Sequence, residues 1–308
     1  VNIAFPDITE SFQKPLGAIQ WVIICYVLTY ASLLLNFGRW ADIVGHRRIF
    51  VVGLLSSAVG LTACGFAPSY EWLLAARAVQ GVGIGLVLAT GPALVTLSFP
   101  DETRGRALGM YAMFITSAAA AGPLLGGVLV STWGWPGVFW FRVPIALVVA
   151  VLVLLVVREP SSKRTEQRFD LGGALLLTLA LTSTLLAVNR VSALGIYAPS
   201  TLGLLIVSLF SVTGFIVWER RCASPVIEMA LFARRQFSVA NGANVLAQMS
   251  AFMVLLLGPY FLVRFADGDV GYAGLLLGIS PIGGAVAAAA AGHLLGRSSA
   301  WALSCVGL

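Results

Sequence analysis

The sequence predicts an all-α polytopic membrane protein built from helical bundles. Hydrophobic residues make up 59% of the 308 residues, charged residues make up only 10%, and the mean hydropathy is +0.93. So few charges cannot cover the surface of a soluble domain. Long charge-free runs alternate with short polar segments, and each run is long enough to cross a ~30 Å hydrocarbon core as a helix.

The charge-free runs place the membrane spans. Two boundaries depend on turn residues instead, at 133–137 and at 197–199. The first residues, VNIAFPDI, predict the last turns of an earlier helix, and the run 298–308 is shorter than a crossing needs, so we expect a fragment of a longer protein. The complete spans are predicted at 17–37, 49–67, 72–98, 106–130, 138–157, 171–189, 200–218, 237–263 and 271–294.

The distribution of charge predicts orientation and excludes other classes of protein. The net charge is +6, but the basic residues are scattered through short loops and form no nucleic-acid-binding face. Fourteen of the 19 Lys and Arg residues fall in the even-numbered loops and three in the opposite loops, which predicts that the even loops are cytoplasmic in a multi-pass plasma-membrane protein. The four cysteines have no paired spacing, so no disulfide framework or metal site is expected.

The segment 38–50, GRWADIVGHRRIF, interrupts two apolar runs with charge. Such a cluster cannot lie in hydrocarbon, so we predict a short aqueous loop that turns the chain back into the bilayer. Gly38, Asp42 and Gly45 share one helical face, where a lone carboxylate between two small residues can meet a partner's cation or a helix N-terminus. The alternative is a plain topological turn whose basic residues only set orientation.

The pattern G-R-x-x-D-x-x-G-x-R-R resembles the signature loop of the major facilitator superfamily of secondary transporters. The resemblance implies a cytoplasmic gate that holds two halves of a transporter in one of two states. Two residues depart from the commonest pattern, Ile43 in place of a basic residue and His46 in place of Arg. The gate residues implied are Gly38, Asp42, Gly45, Arg47 and Arg48.

An internal repeat predicts two extra helices between the halves. AGHLLGR at 291–297 is a degenerate echo of the gate loop, and eight predicted spans lie between the two, where two directly joined six-helix bundles would give six. This arrangement resembles the fourteen-helix drug:proton antiporter branch of the superfamily. The expected division is a six-helix bundle at 1–157, a linker at 158–170, a two-helix hairpin at 171–218, a linker at 219–236 and an incomplete second bundle at 237–308.

A basic residue lies inside the fourth span. Arg77, Gly81 and Gly85 fall at i, i+4 and i+8. RAVQGVGIG resembles the family's second signature, which implies that Arg77 and Gln80 take part in proton coupling. A guanidinium at this depth is costly unless it faces a carboxylate, a carbonyl or water. The alternative is that Arg77 only extends to the headgroups.

The fifth span carries a stripe of small residues. Ala118, Gly122 and Gly126 repeat every four residues, and Pro123 removes a backbone donor in mid-helix, so close packing and a bend are expected together. The stretch resembles the superfamily's antiporter signature and favours export over uptake, although ordinary helix packing is the alternative. The residues that match it are Gly109, Gly122, Pro123, Gly126 and Gly127.

Two other groups of residues are candidates for a central substrate cavity. Tyr26 and Tyr30 could stack on an aromatic or cationic substrate, and Asn241, Asn244 and Gln248 form one polar face of the ninth helix. Core packing and interhelical hydrogen bonds are the structural alternatives. Arg142, in a stretch that resembles the branch's sixth-helix entry, is expected to be an interfacial anchor.

The resemblance implies a monomeric, proton-driven antiporter that exports hydrophobic or cationic drugs by alternating access, with the proton gradient as its energy source and no cofactor. No Asp or Glu lies well inside a complete predicted span from the second helix to the tenth. VNIAFP resembles the end of a family motif, and this resemblance implies that the coupling carboxylate lies a few positions before Val1. A narrow-specificity metabolite exporter or uptake symporter of the same fold is the first alternative. A polytopic membrane enzyme is a remote one, because His46 and His293 have no carboxylate-rich partners.

Overall fold

The computed structural model describes residues 1, 4–157, 170–222, 225–227, 230–265 and 283. Every regular element in this part of the chain is a helix. The helices are α1 (Phe5–Phe12), α2 (Leu16–Ile19), α3 (Trp21–Val44), α4 (His46–Gly65), α5 (Tyr70–Ser98), α6 (Asp101–Trp140), α7 (Arg142–Val156), α8 (Leu171–Leu194), α9 (Pro199–Glu219), α10 (Ala230–Ala233) and α11 (Arg235–Phe265).

Six stretches within the described residues are long and apolar enough to cross a membrane. The predicted span 237–263 coincides with α11, while 271–294 and the run from 298 lie outside the described residues. The all-helical fold class is therefore confirmed. The six stretches are Gly17–Val44, His46–Gly65, Tyr70–Ser98, Leu125–Val156, Leu171–Val191 and Pro199–Glu219.

The turn between α3 and α4 is far shorter than predicted. The sequence predicts an aqueous loop over 38–50, but α3 continues to Val44 and α4 begins at His46, so Gly45 alone breaks the helix. Its φ of 115° is one that only glycine adopts without strain, and its N–H still donates to the carbonyl of Ala41. The prediction of a loop was wrong because charged residues at a helix end remain helical when the chain needs only one residue to turn.

The break predicted at 133–137 is confirmed at Gly134. This residue has φ 68° and ψ −176° within α6, a conformation in the left-handed half of the map that favours glycine. The 40 residues of α6 would otherwise extend about 60 Å at 1.5 Å per residue, twice the hydrocarbon thickness. Gly134 therefore breaks the regular helix within α6, and the chain continues from there into α7.

Glycines bring α5 into backbone contact with both α3 and α4. A Cβ added at Gly81 would lie 2.8 Å from the carbonyl oxygen of Tyr26 on α3. A Cβ added at Gly83 would lie 2.3 Å from the backbone nitrogen of Ser57 on α4, and one at Gly60 would lie 2.6 Å from that of Gln80. Small residues allow such close approach and so increase van der Waals contact between membrane helices.

The described chain falls into two compact units. One comprises Val1–Leu94 with Gly126–Glu228, and the other comprises Val95–Leu125 with Met229–Leu308. Helices α3, α4, α8 and α9 belong wholly to the first unit, in which α8 packs on both α9 and α3. The predicted division of the chain at 157, 170, 218 and 236 stays a prediction.

Candidate functional site

Arg77 is almost completely buried between α5 and α3. Its side chain is 2% exposed, and its Nε donates a hydrogen bond to the carbonyl oxygen of Val22, 2.7 Å away. Its Nη1 donates to Oε1 of Gln80, which is itself 2% exposed. A buried guanidinium needs such acceptors because it cannot lose its charge readily. The alternative that Arg77 extends outward to the headgroups does not fit this geometry.

Aromatic rings cover the remaining faces of the Arg77 guanidinium. Its Cζ lies 4.1 Å from the centroid of the Tyr26 ring and 5.8 Å from that of Phe139. A cation over the negative face of a ring is stabilised electrostatically, and the effect is larger when water is excluded. Tyr26 therefore contacts the buried cation.

Arg142 reaches the same ring from α7. Its Cζ lies 5.7 Å from the Phe139 centroid, its Nε donates to the carbonyl oxygen of Val138 at 3.1 Å, and its Nη2 is buried. The expectation that Arg142 is an interfacial anchor stays a prediction. The sequence analysis missed that Arg77 and Arg142 both lie near the Phe139 ring, because nothing in the local sequence places the three residues together.

The helical face of Arg77 explains why its side chain reaches α3. Gly81 and Gly85 follow it on the same face, and a Cβ on Gly85 would lie 2.9 Å from the Phe37 ring. With no side chains in between, α3 approaches closely enough for Arg77 to contact a backbone carbonyl. The spacing of Arg77, Gly81 and Gly85 thus predicted one shared face correctly, while the coupling role of Arg77 and Gln80 stays a prediction.

The gate loop forms two kinds of contact around Gly45. Oδ1 of Asp42 lies 3.3 Å from Nε2 of His46. His46 departs from the common pattern, but a protonated imidazole at this position forms an ion pair with the Asp42 carboxylate. Arg47 donates from Nε to the carbonyl oxygen of Val153 at 3.4 Å and from Nη2 to that of Leu154, near the end of α7. A cation at a helix C-terminus is favourable for the helix dipole.

The remaining gate residues are Gly38 and Arg48. A Cβ added at Gly38 would have nothing within 4 Å, and Arg48 has a partner among its surroundings. Nothing described here shows two states of the loop. The gate role of Gly38, Asp42, Gly45, Arg47 and Arg48 therefore stays a prediction.

The antiporter-signature residues lie along α6. Gly109 and Gly126 are buried, Gly122 is exposed, and Gly127 is partly buried. A Cβ added at Gly122 or Gly127 would meet nothing within 4 Å, so neither forms a close helix contact within the described residues. Pro123 lies in the helical backbone between them. The export interpretation of this stretch stays a prediction.

The predicted cavity residues fall in both compact units. Tyr26 and Tyr30 form an edge-to-face pair with centroids 5.3 Å apart. Asn241, Asn244 and Gln248 are exposed on α11, and Nδ2 of Asn241 donates to the carbonyl of Phe237 one turn earlier at 2.8 Å. Their assignment to a substrate cavity stays a prediction.

A cavity of about 480 Å³ lies between α3 and α8. Its walls are mainly apolar, and a single amide, that of Asn36, lies among them. The sequence did not predict this cavity, because it depends on how the hairpin of α8 and α9 packs on α3. It is lined by Leu33, Asn36, Phe37, Trp40, Ile43, Leu171, Ala174, Leu175 and Thr178.

Two carboxylates meet where α8 begins and α9 ends. Asp170 caps α8 by accepting the Gly173 N–H at 3.0 Å and the Trp218 indole N–H at 3.0 Å. Partial burial acts to raise the pKa of Asp170, but these hydrogen bonds outweigh it and hold the pKa below its ordinary value. Glu219 is 4% exposed and its Oε1 accepts the Val226 N–H at 3.0 Å. The sequence analysis placed Glu219 in a linker and missed it.

Metal chemistry has no support in the geometry of the described ranges. There, no three His, Cys, Asp or Glu side chains lie together in a way that could hold a metal ion. The described site is a buried charge within a helical bundle, and a buried charge is rare in membrane helices.

The family model described as Major Facilitator Superfamily matches residues 1–308, the whole chain. The chain belongs to the major facilitator superfamily. The chain spans about half the length of the curated relatives it matches, 56% and 48% for two of those described below. Members of this superfamily are transporters and not enzymes.

Three relatives indicate the range of the family around this chain. "Multidrug resistance protein Stp" of Mycobacterium tuberculosis is 33% identical over 97% of this chain and 56% of its own length. "Tetracenomycin C resistance and export protein" of Streptomyces glaucescens is 30% identical over 86% of this chain and 48% of its own length. "Riboflavin transporter RibZ" of Clostridioides difficile is 28% identical over 97% of this chain and 64% of its own length.

Proposed function

We propose that the whole protein exports hydrophobic or cationic compounds across the plasma membrane in exchange for protons. The observation that carries the proposal is the burial of Arg77, with its guanidinium bonded to Val22 and Gln80 and covered by Tyr26. A charge removed from water is costly and persists in membrane proteins where it serves transport. The similarity to relatives named for drug resistance and export supports the direction of transport.

Arg77 can act as the fixed charge of a proton-coupled cycle. None of the ion pairs recorded among the described residues includes Arg77, and its acceptors there are a carbonyl and an amide oxygen. A carboxylate that approaches a guanidinium gives up its proton, and one that moves away regains it. Alternating access would move such a carboxylate relative to Arg77 and so tie proton release to the change of state.

The helices around Arg77 suit a body that moves as a unit. Gly81 and Gly83 bring α5 into close contact with α3 and α4, and such packing is rigid because it leaves no room for sliding side chains. We assign the even-numbered loops to the cytoplasm and the hairpin α8–α9 to the two inserted helices of a fourteen-helix protein. Rocking of two bundles around a midplane cavity then opens the protein to either side of the membrane.

Transport by the full-length protein in sealed vesicles tests this function. With an inside-acid pH gradient, vesicles whose protein faces inside-out should accumulate a cationic dye, and an uncoupler that collapses the gradient should stop the accumulation. A matched preparation of vesicles without the protein corrects for passive dye uptake. A rate of dye accumulation that does not depend on the imposed pH gradient would contradict proton antiport.

A narrow-specificity transporter is the second candidate. The similarity to a relative named as a riboflavin transporter favours it, because that name specifies one metabolite. Competition separates the candidates. A broad exporter should show mutual inhibition among several chemically unrelated dyes, whereas a narrow one should be inhibited only by close analogues of its substrate.

A further inference from the structure

Helix α8 of the hairpin is hydrogen-bonded to the middle of α3. Asn36 donates from Nδ2 to the carbonyl oxygen of Ala174 at 3.1 Å and to Oγ1 of Thr178 at 2.8 Å. One turn earlier on α3, Oγ of Ser32 accepts from Oγ1 of Thr182 at 3.0 Å. Ser32 and Asn36 are 3% and 5% exposed, so these polar groups depend on α8 for their partners.

The same face of α3 continues to a basic residue whose charge acts on the hairpin. Arg39 follows Asn36 by three residues, and its guanidinium acts electrostatically on the Glu219 carboxylate at the end of α9. Asp170 acts on Glu219 as well, and both carboxylates surround Gly173, where an added Cβ would lie 2.5 Å from Oδ2 of Asp170 and 3.1 Å from Oε1 of Glu219. Two neighbouring carboxylates need a cation to stay ionised together.

One carboxylate oxygen of Glu219, Oε2, takes no part in the hydrogen bond to Val226. Oε1 accepts the Val226 N–H and so fixes the chain that leaves α9. Oε2 is buried and accepts no hydrogen bond within the described residues. A carboxylate oxygen buried in this way stays ionised only if a nearby cation compensates its charge. Arg39 on α3 is a cation whose charge acts on this carboxylate.

We propose that the hairpin α8–α9 is a positioning element of the gate loop. It holds α3 through the hydrogen bonds of Ser32 and Asn36 and through the charge of Arg39 on the Asp170–Glu219 pair. The gate loop begins at the end of α3, so the hairpin and the gate helix move as one body during transport. Glu219 and Asp170 are positioning residues, and their role in transport rests on the proposed function.

A disulfide across the α3–α8 contact tests the shared movement. The hydroxyl oxygens of Ser32 and Thr182 are 3.0 Å apart, so Ser32→Cys with Thr182→Cys places two sulfur atoms within reach of a ~2.05 Å bond after a small adjustment. In the full-length protein, oxidation should join the pair and leave the transport rate within about twofold of the reduced protein.

The controls for this disulfide come from the same helices. Each single cysteine variant reports pairing with the native cysteines. Ser32→Cys with Thr184→Cys should not form a bond, because Oγ1 of Thr184 contacts Ser208 on α9 instead of α3. Failure of the Ser32–Thr182 pair to join, or arrest of transport on joining that a reductant reverses, would overturn the shared movement.

A double-mutant cycle tests the charged contact. Glu219→Gln keeps an oxygen that can accept the Val226 N–H and removes only the charge, so a purely structural role predicts no change. The positioning role predicts about fivefold slower maximal transport with an unchanged half-saturating substrate concentration. Arg39→Gln should have the same effect, and the double variant should be no slower than either single variant. An unaffected Glu219→Gln protein, or losses that multiply in the double variant, would contradict the proposal.

Both tests have readouts that do not need transport. The yield of the disulfide reports the contact directly, and the same double-mutant cycle can be read on the melting temperature in detergent, where the two single losses should again fail to add. If the full-length protein proved unable to exchange protons, the proposed function would fail in every variant, while the disulfide yield and the thermal cycle would still decide whether the hairpin holds α3.

Discussion

The Nε of Arg77 donates to the carbonyl oxygen of Val22 across 2.7 Å, from one membrane helix to the backbone of another. A backbone carbonyl cannot be titrated, so this acceptor keeps its capacity to hold the guanidinium at any pH. In the described structure Arg77 is a positive charge held by Val22, Gln80 and the ring of Tyr26.

The ring of Tyr26 should be essential and its hydroxyl dispensable. The ring centroid lies 4.1 Å from the guanidinium carbon of Arg77. A desolvated cation–π contact is worth about 2 kcal/mol, so Tyr26→Ala should slow transport on the order of tenfold, whereas Tyr26→Phe should stay within about twofold of the wild type. Initial rates of dye transport in vesicles measure both. Equal losses in the two variants would show that the hydroxyl, and not the ring, is what matters.

Gly83 should not tolerate a methyl group. An alanine Cβ there would lie 2.3 Å from the backbone nitrogen of Ser57, and backbone cannot move aside as a flexible side chain can. Overpacking of this kind costs about 1–3 kcal/mol, so Gly83→Ala should lower the melting temperature in detergent. Gly203→Ala on α9 is the matched control, since its Cβ would meet nothing within 4 Å, and it should leave the melting temperature unchanged or raise it.

Asp170 should stabilise the hairpin in a manner that depends on pH. Its pKa is below the ordinary value, so its contribution is present above the pKa of the unfolded state and is lost as the pH falls through the folded pKa. At neutral pH, Asp170→Ala should cost about 1 kcal/mol through loss of the N-cap, and Asp170→Asn should cost less because Asn is also a good cap. Thermal melts across acidic pH should show the wild type approaching Asp170→Asn. A difference that persists at every pH would contradict the role of the charge.

Arg47 should attach the gate loop to α7. It donates to the carbonyl oxygens of Val153 and Leu154, which lie in the last turn of that helix. Arg47→Ala removes charged hydrogen bonds worth about 1.5–3 kcal/mol, discounted for partial exposure, and should lower the melting temperature. The exposed Arg106→Ala serves as its control. Similar melting temperatures for the two variants would argue that Arg47 contributes only charge.

The sequence could predict features that repeat along one helix. Charge-free runs of about 20 residues predicted the spans because hydrocarbon excludes charge, and a period of 3.6 residues predicted that Arg77 and Gly81 share a face. The turn at 133–137 was visible because glycine and proline mark breaks in any context. Family membership followed from the residues of the gate loop.

Features that depend on contacts between distant residues could not be predicted. Phe139 lies over Arg77 only because α6 bends at Gly134, and Asn36 meets Thr178 only because the hairpin returns to α3. Glu219 appeared to be a linker residue because a charge count ends a span before the first charge, whereas α9 includes Glu219 as its last residue and the side chain is buried. These contacts follow from the three-dimensional packing of the helices and leave no pattern in the local sequence.

Proton-coupled transport by Arg77→Lys tests the central claim most directly. A lysine keeps the positive charge but cannot donate to Val22 and Gln80 in the fork geometry of a guanidinium, and it shifts its pKa readily when buried. Full-length protein in vesicles with a pH-sensitive dye inside reports proton release as substrate enters, and the exposed Arg190→Lys controls for the substitution. The account predicts that substrate-driven proton movement falls at least tenfold in Arg77→Lys and is unchanged in Arg190→Lys. Undiminished proton movement in Arg77→Lys would contradict it.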